Sequence, residues 1–171
     1  MATGPQFIEA LVPVCGMHPS TLVRYFQEIR RAQLIPTSGK GGGKAAVHFS
    51  ATDAARIVLA LCARGPGEAV DTCYSAARLP ETSLKTKGAA RNLLYELVQT
   101  IATGEVPEGW SMVLDSNPLS ATITDGTGST KLFSHSSDSP IPGKRRHIRF
   151  CCHVHRDVLA LLAELVTGVP A

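Results

Sequence analysis

The sequence predicts an α+β fold: helices first, then a small antiparallel β-meander, then a C-terminal helix. Three observations predict it. Apolar residues recur at helical spacing in residues 19–32, 91–103 and 156–166. Between the second and third of these lie the strand-like pieces 110–115, 119–124, 131–135 and 147–154, divided by turn chemistry such as Asn117-Pro118 and Asp125-Gly126. Near the start, a short apolar segment runs through a glycine turn into the first long stripe, and a glycine-lysine run follows it.

Each element has its own signal. Residues 7–14 form a short apolar helix that tolerates Pro13 near its end. "CGMHPST" (15–21) is a tight turn, where Gly16 can take positive φ and Pro19 opens the next helix. Along 19–32, Leu22, Val23, Phe26 and Ile29 form the apolar stripe, and Thr21, Arg24, Tyr25, Glu28 and Arg31 are assigned to the opposite side. "LIPTSG" and "AAVHFS" make two short strands around the glycine run. Ser50 or Thr52 then caps a helix at 53–64 whose inner face is Ala54, Ile57, Val58 and Leu61. The Gly-Pro cluster at 64–68 divides the chain into units 1–64 and 65–171. The second unit starts with helices at 67–78 and 87–103, the latter apolar through Leu93, Leu94, Leu97, Val98 and Ile101. Its strands follow, then a helix at 156–166.

Composition bounds the function. With 44% hydrophobic and 18% charged residues, the 171-residue chain can bury a real core. Aromatics at 5% are too few for a broad base-stacking platform. No apolar run approaches the roughly 20 residues of a membrane span, and no basic leader precedes the first apolar segment. Five scattered cysteines make no disulfide framework, which fits a reducing cytosol. Net charge is +3, unevenly spread: residues 1–64 carry seven Lys/Arg against three acids, the remainder ten against eleven. The excess lies beside the glycine run and points to a polyanionic partner.

That run, "PTSGKGGGKAAVHFS" (36–50), raises the question of whose phosphate it meets. A nucleotide-binding loop needs G-x-x-x-x-G-K-[ST] between a strand and a helix. Gly43-Lys44 supplies the G-K pair, but Ser38 stands at the leading glycine, Ala45 at the hydroxyl, and a β-like stretch follows. A hairpin tip that projects Lys40 and Lys44 toward a DNA backbone fits better; the alternative is a hairpin with solvated lysines.

The order helix, glycine turn, longer helix, strand, basic loop, strand, helix matches a winged helix-turn-helix. On "CGMHPSTLVRYFQEIRRAQLIP" and "VHFSATDAARIVLAL", the chain resembles the DNA-binding half of MerR-type and related winged helix-turn-helix regulators, including small phage or prophage DNA-binding proteins. The resemblance covers about residues 6–63 and implies that helix 19–32 enters the major groove with the glycine hairpin as its wing. It implies a DNA-facing set of His18, Ser20, Thr21, Arg24, Tyr25, Glu28 and Arg31 on the helix, and Lys40 and Lys44 on the wing. Arg24 is the expected base contact and Arg31 a phosphate contact. For each, a merely solvated helix face is the alternative.

Other chemistry is weaker. Alternation along "HIRFCCHVH" puts His147, Arg149, Cys151, His153 and His155 on one face and Ile148, Phe150, Cys152 and Val154 on the other. Cys151, His153 and His155 are sound zinc ligand types, but no C-x-x-C or H-x-x-x-H partner occurs elsewhere. No nucleophile elbow or carboxylate pair is present, so no enzyme, cofactor or metal is expected. "GKRRHIR" (143–149) is a second basic cluster, for DNA, an acidic partner, another subunit or solvent.

The function expected is a sequence-specific DNA-binding transcriptional regulator, cytoplasmic and dimeric. The second unit would serve oligomerisation, or a protein or small-molecule partner. Two alternatives are a phage small-terminase-like packaging subunit, which would form rings, and a protein-binding adaptor built on the same winged helix.

Overall fold

The computed structural model describes residues 4–36, 48–82, 91–116, 119–135 and 150–168. The chain is α+β, with six helices and one four-stranded antiparallel sheet among those residues. The glycine run with Lys40 and Lys44, and the cluster at 143–149, lie outside them.

Helix α1, Gly4–Cys15, begins three residues before the expected start and places Phe7 and Leu11, one turn apart, fully in the core. Gly16, at φ 62°, makes the reversal. Helix α2, Pro19–Arg31, follows with Pro19 in its first turn and His18 as N-cap. Arg30 and Arg31 in its last turn complement the negative end of the helix dipole. The helix stops in a Schellman motif: Leu34 N–H donates to the Ile29 carbonyl and Gln33 N–H to that of Arg30, both at 2.9 Å. Gln33 takes the left-handed position usually given to glycine, at φ 57°.

The described chain resumes at His48. Phe49 is buried edge-on against Phe7, ring centroids 4.8 Å apart, with Phe26 on its other side. Ser50 is the N-cap of α3, Ala51–Leu61, and it shares a full capping box with Asp53. The expected inner face of α3 is buried, but so are Ala55, Leu59 and Ala60. From Ala54 on, every residue of α3 except the half-buried Arg56 is buried, as in a core helix. Helices α2, α4 (Ala69–Ala77), α5 (Leu93–Thr103) and α6 (Arg156–Thr167) pack about it, and one hydrophobic cluster runs from Phe7 to Val166. The Gly-Pro stretch expected as a boundary contains a one-turn 3-10 segment, Pro66–Glu68, leading into α4.

The strands are β1 Trp110–Ser116, β2 Leu119–Asp125, β3 Thr130–Ser134 and β4 Cys151–His155, in the order β3-β2-β1-β4. Alternation puts Trp110, Met112 and Leu114 of β1, Ala121 and Ile123 of β2, Phe133 of β3 and Val154 of β4 in the core. A simple meander would set β4 beside β3, yet β4 pairs with β1. The outer edge of β3 is already occupied: Thr82 N–H donates to the Leu132 carbonyl at 2.7 Å and Ser134 N–H to that of Pro80 at 3.1 Å. A covered edge cannot take another strand. The other new terminal strand, β4, leads directly into α6.

No helix of the described residues is long and apolar enough to cross a membrane.

Candidate nucleic-acid interface

The candidate site is built on α2. Its buried side consists of Leu22, Tyr25, Phe26 and Ile29. Opposite them Ser20, Arg24, Gln27 and Arg31 are exposed, at spacings of four, three and four residues, on one solvent-facing stripe. The stripe extends about 16 Å along the axis at 1.5 Å per residue.

Two sequence assignments on this helix change places. Tyr25 was expected outward, but it is 3% exposed, and its hydroxyl donates to the Ala63 carbonyl at 2.9 Å. Val23 was expected inward and is 38% exposed. Residues 22, 26 and 29 define the inner face on any reading, and positions 23 and 25 flank it on either side. Just beyond α3, the Ala63 carbonyl lies past the helical ladder and needs a donor, which the phenol supplies. Burial also pushes the Tyr25 phenol up from its ordinary value, with smaller contributions from nearby Cys152, Cys62 and Glu68. Tyr25 is therefore removed from the set of DNA-facing residues and becomes a strut between α2 and the end of α3.

The remaining helix residues divide by their partners. His18 is exposed, and its Nδ1 accepts from the Ser20 backbone N–H at 3.3 Å and lies 2.8 Å from Ser20 Oγ. It caps the N-terminal end of α2. Thr21 and Glu28 are half-buried at the edges of the stripe. Arg31 pairs with Glu28 at 2.9 Å, but its side chain is 73% exposed. Surface pairs of this kind are worth little, so the guanidinium can exchange carboxylate for phosphate at small cost. Arg24 is exposed at the middle of the stripe. Arg30 has a different role, lying where a side chain on Gly4 would be, within 2.2 Å of a Cβ built there.

Sequence reasoning missed Gln27. It sits three residues from Arg24 and four from Arg31, so the 3.6-residue period alone places it on the stripe. Lys40 and Lys44, the expected wing contacts, fall outside the described residues.

The strand tested for metal chemistry alternates as expected: Cys151, His153 and His155 are exposed, Val154 is buried and Cys152 half-buried. Among the described residues, no three His, Cys, Asp or Glu side chains converge to hold a metal ion. Comparison with protein-family models, curated proteins and solved structures finds no match.

Proposed function

We propose that the protein is a double-stranded DNA-binding regulator whose helix α2 lies in the major groove. One observation carries this reading: the helix that follows a three-residue glycine turn turns a single stripe of hydrogen-bonding and cationic side chains to solvent, while its other side is locked into the core. Two helices joined by such a turn are the arrangement by which helix-turn-helix proteins present a recognition helix. Arg24 is suited to the O6 and N7 acceptors of guanine, Gln27 to the N6 and N7 pair of adenine, and Val23 beside them to a thymine methyl. Arg31 at the far end and His18 at the near end meet phosphates, and Lys40 and Lys44 grip the adjacent backbone. Residues 1–64 hold the excess of positive charge, which supports the same side of the molecule facing the duplex.

Selection of bound fragments from a random-sequence duplex pool, followed by titration at several salt concentrations, tests the reading. Arg24→Ala is expected to weaken specific binding by about 10- to 100-fold and relax preference at one base pair. A Lys40→Ala/Lys44→Ala double variant lowers affinity evenly across sequences and flattens the salt dependence. Mass photometry returns a dimer for a regulator, whereas a large ring would favour the packaging role. Absence of salt-sensitive DNA retention by the wild-type chain overturns the proposal and leaves α2 as a protein-docking face.

A further inference from the structure

Three cysteines far apart in sequence meet at one place that the DNA-binding reading does not use. Cys15 ends α1, Cys62 follows the last turn of α3, and Cys152 lies on β4; all three line a cavity of about 300 Å³. The rest of its wall is largely apolar, with Val14, Met17, Val58 and Leu61 contributing, and His153, His155 and Asp157 stand on its polar side. Cys62 is buried and Cys152 half-buried, and the two thiols are close enough for each to perturb the other. Cys151, the neighbour on β4, is exposed and does not line the cavity.

We propose that this cavity is a thiol redox site for small apolar hydroperoxides, in which Cys152 is the attacking sulfur and Cys62 the resolving one. The Cys152 sulfur attacks the terminal oxygen of R–O–O–H. An S–O bond forms, the O–O bond breaks, and the alcohol R–O–H leaves with the thiol proton. Cys152 is then a sulfenic acid. The Cys62 sulfur next attacks Cys152; an S–S bond forms and the hydroxyl departs with the Cys62 proton as water. The two sulfurs have lost two electrons together, and the peroxide has gained them.

The roles follow from position. Both residues line the cavity, but Cys152 is half-buried and can meet a peroxide, whereas Cys62 is buried. The hydrogen bond from Cys62 holds the Cys152 thiol below its ordinary value against the opposing effect of burial. The same bond and burial push Cys62 well up, which keeps it protonated until the sulfenic acid forms. Burial raises Cys15 as well, with a smaller contribution from Cys152. The apolar wall selects the oxidant: an alkyl or aryl hydroperoxide gains burial there that hydrogen peroxide cannot. A 62–152 disulfide would tie the end of α3 to β4, immediately before α6.

The test uses the full chain with Cys151→Ser, which leaves four thiols of the five cysteines. Stoichiometric cumene hydroperoxide, followed by alkylation and peptide mapping, is expected to remove two thiols and yield a peptide joining Cys62 to Cys152. With Cys62→Ser added, dimedone labels Cys152 as the sulfenic acid; with Cys152→Ser added, all remaining thiols survive. Cumene hydroperoxide should react about tenfold faster than hydrogen peroxide, as expected for a buried aryl group. The disulfide map needs no cavity variant to fold. No thiol loss, or a crosslink that omits Cys152, overturns the site; equal rates with the two peroxides overturn its substrate class. Neither outcome depends on DNA binding.

Discussion

Removing one oxygen atom by Tyr25→Phe separates a structural role for this residue from a role at the DNA face. The Tyr25 hydroxyl donates to the Ala63 carbonyl at 2.9 Å in a site where the side chain is 3% exposed. Phenylalanine keeps the ring and its packing between α2 and α3, so no large cavity forms. What is lost is one buried hydrogen bond, and the carbonyl it satisfied is left without a donor at a helix end. A buried acceptor abandoned in this way costs about 1–3 kcal/mol. With a urea m-value of about 2 kcal/mol/M, the unfolding midpoint should fall by about 0.5–1.5 M at unchanged slope. DNA affinity of the folded variant, measured well below that midpoint, should remain within about twofold of wild type, since a buried phenol offers nothing to a groove. An unchanged midpoint, or a loss of affinity comparable with that of Arg24→Ala, would refute the assignment of Tyr25 to the core.

Gly126→Ala tests the β2–β3 turn, because a Cβ there would lie 1.7 Å from the Glu108 carbonyl oxygen at φ +83°. The oxygen it meets belongs to the backbone, so relief requires displacing a loop; the expected cost is about 2–4 kcal/mol, or a fall of about 5–15 °C in a thermal melt. Gly128→Ala, at φ +89° with nothing within 4 Å of the new carbon, carries only the conformational strain and should cost about 1–2 kcal/mol. Equal losses for the two would count against the close approach. In the same turn, the hydroxyl and then the backbone N–H of Thr127 hold the Asp125 carboxyl below the ordinary aspartate value. A depressed carboxyl adds stability that is present above the unfolded aspartate pKa and disappears as pH falls through the folded one. An NMR titration should therefore place Asp125 below the ordinary value, and Thr127→Ala should move it upward.

Much of the local structure was legible along the chain, because its signals are local. Gly16 and Pro19 mark the turn into α2, Ser50 and Asp53 announce the capping box of α3, and Met112, Leu114, Cys152 and Val154 alternate as half-buried strands must. The solvent stripe of α2 was readable as well, through Ser20, Arg24 and Arg31, and counting the period strictly would have added Gln27. Polarity misled where an amphipathic side chain was concerned. Tyr25 was grouped with the arginines by its hydroxyl, although its ring is a large apolar body that seeks the core once the hydroxyl has a partner.

The sequence by itself determined where most helices and strands lie to within a few residues and which face of most of them is apolar, although residues 34 and 35 form bends where a strand was expected. These properties depend on residues three, four or two positions apart. Only the tertiary structure decided that α3 is buried over most of its length, that β4 returns to β1 because residues 80–82 occupy the far edge of β3, and that Tyr25 rather than Val23 turns inward. It alone brought Cys15, Cys62 and Cys152 to one cavity wall. Each of these depends on partners tens of residues away. Which partner arrives is settled by competition for buried carbonyls, free strand edges and apolar surface over the whole chain, and a local pattern carries no record of that competition.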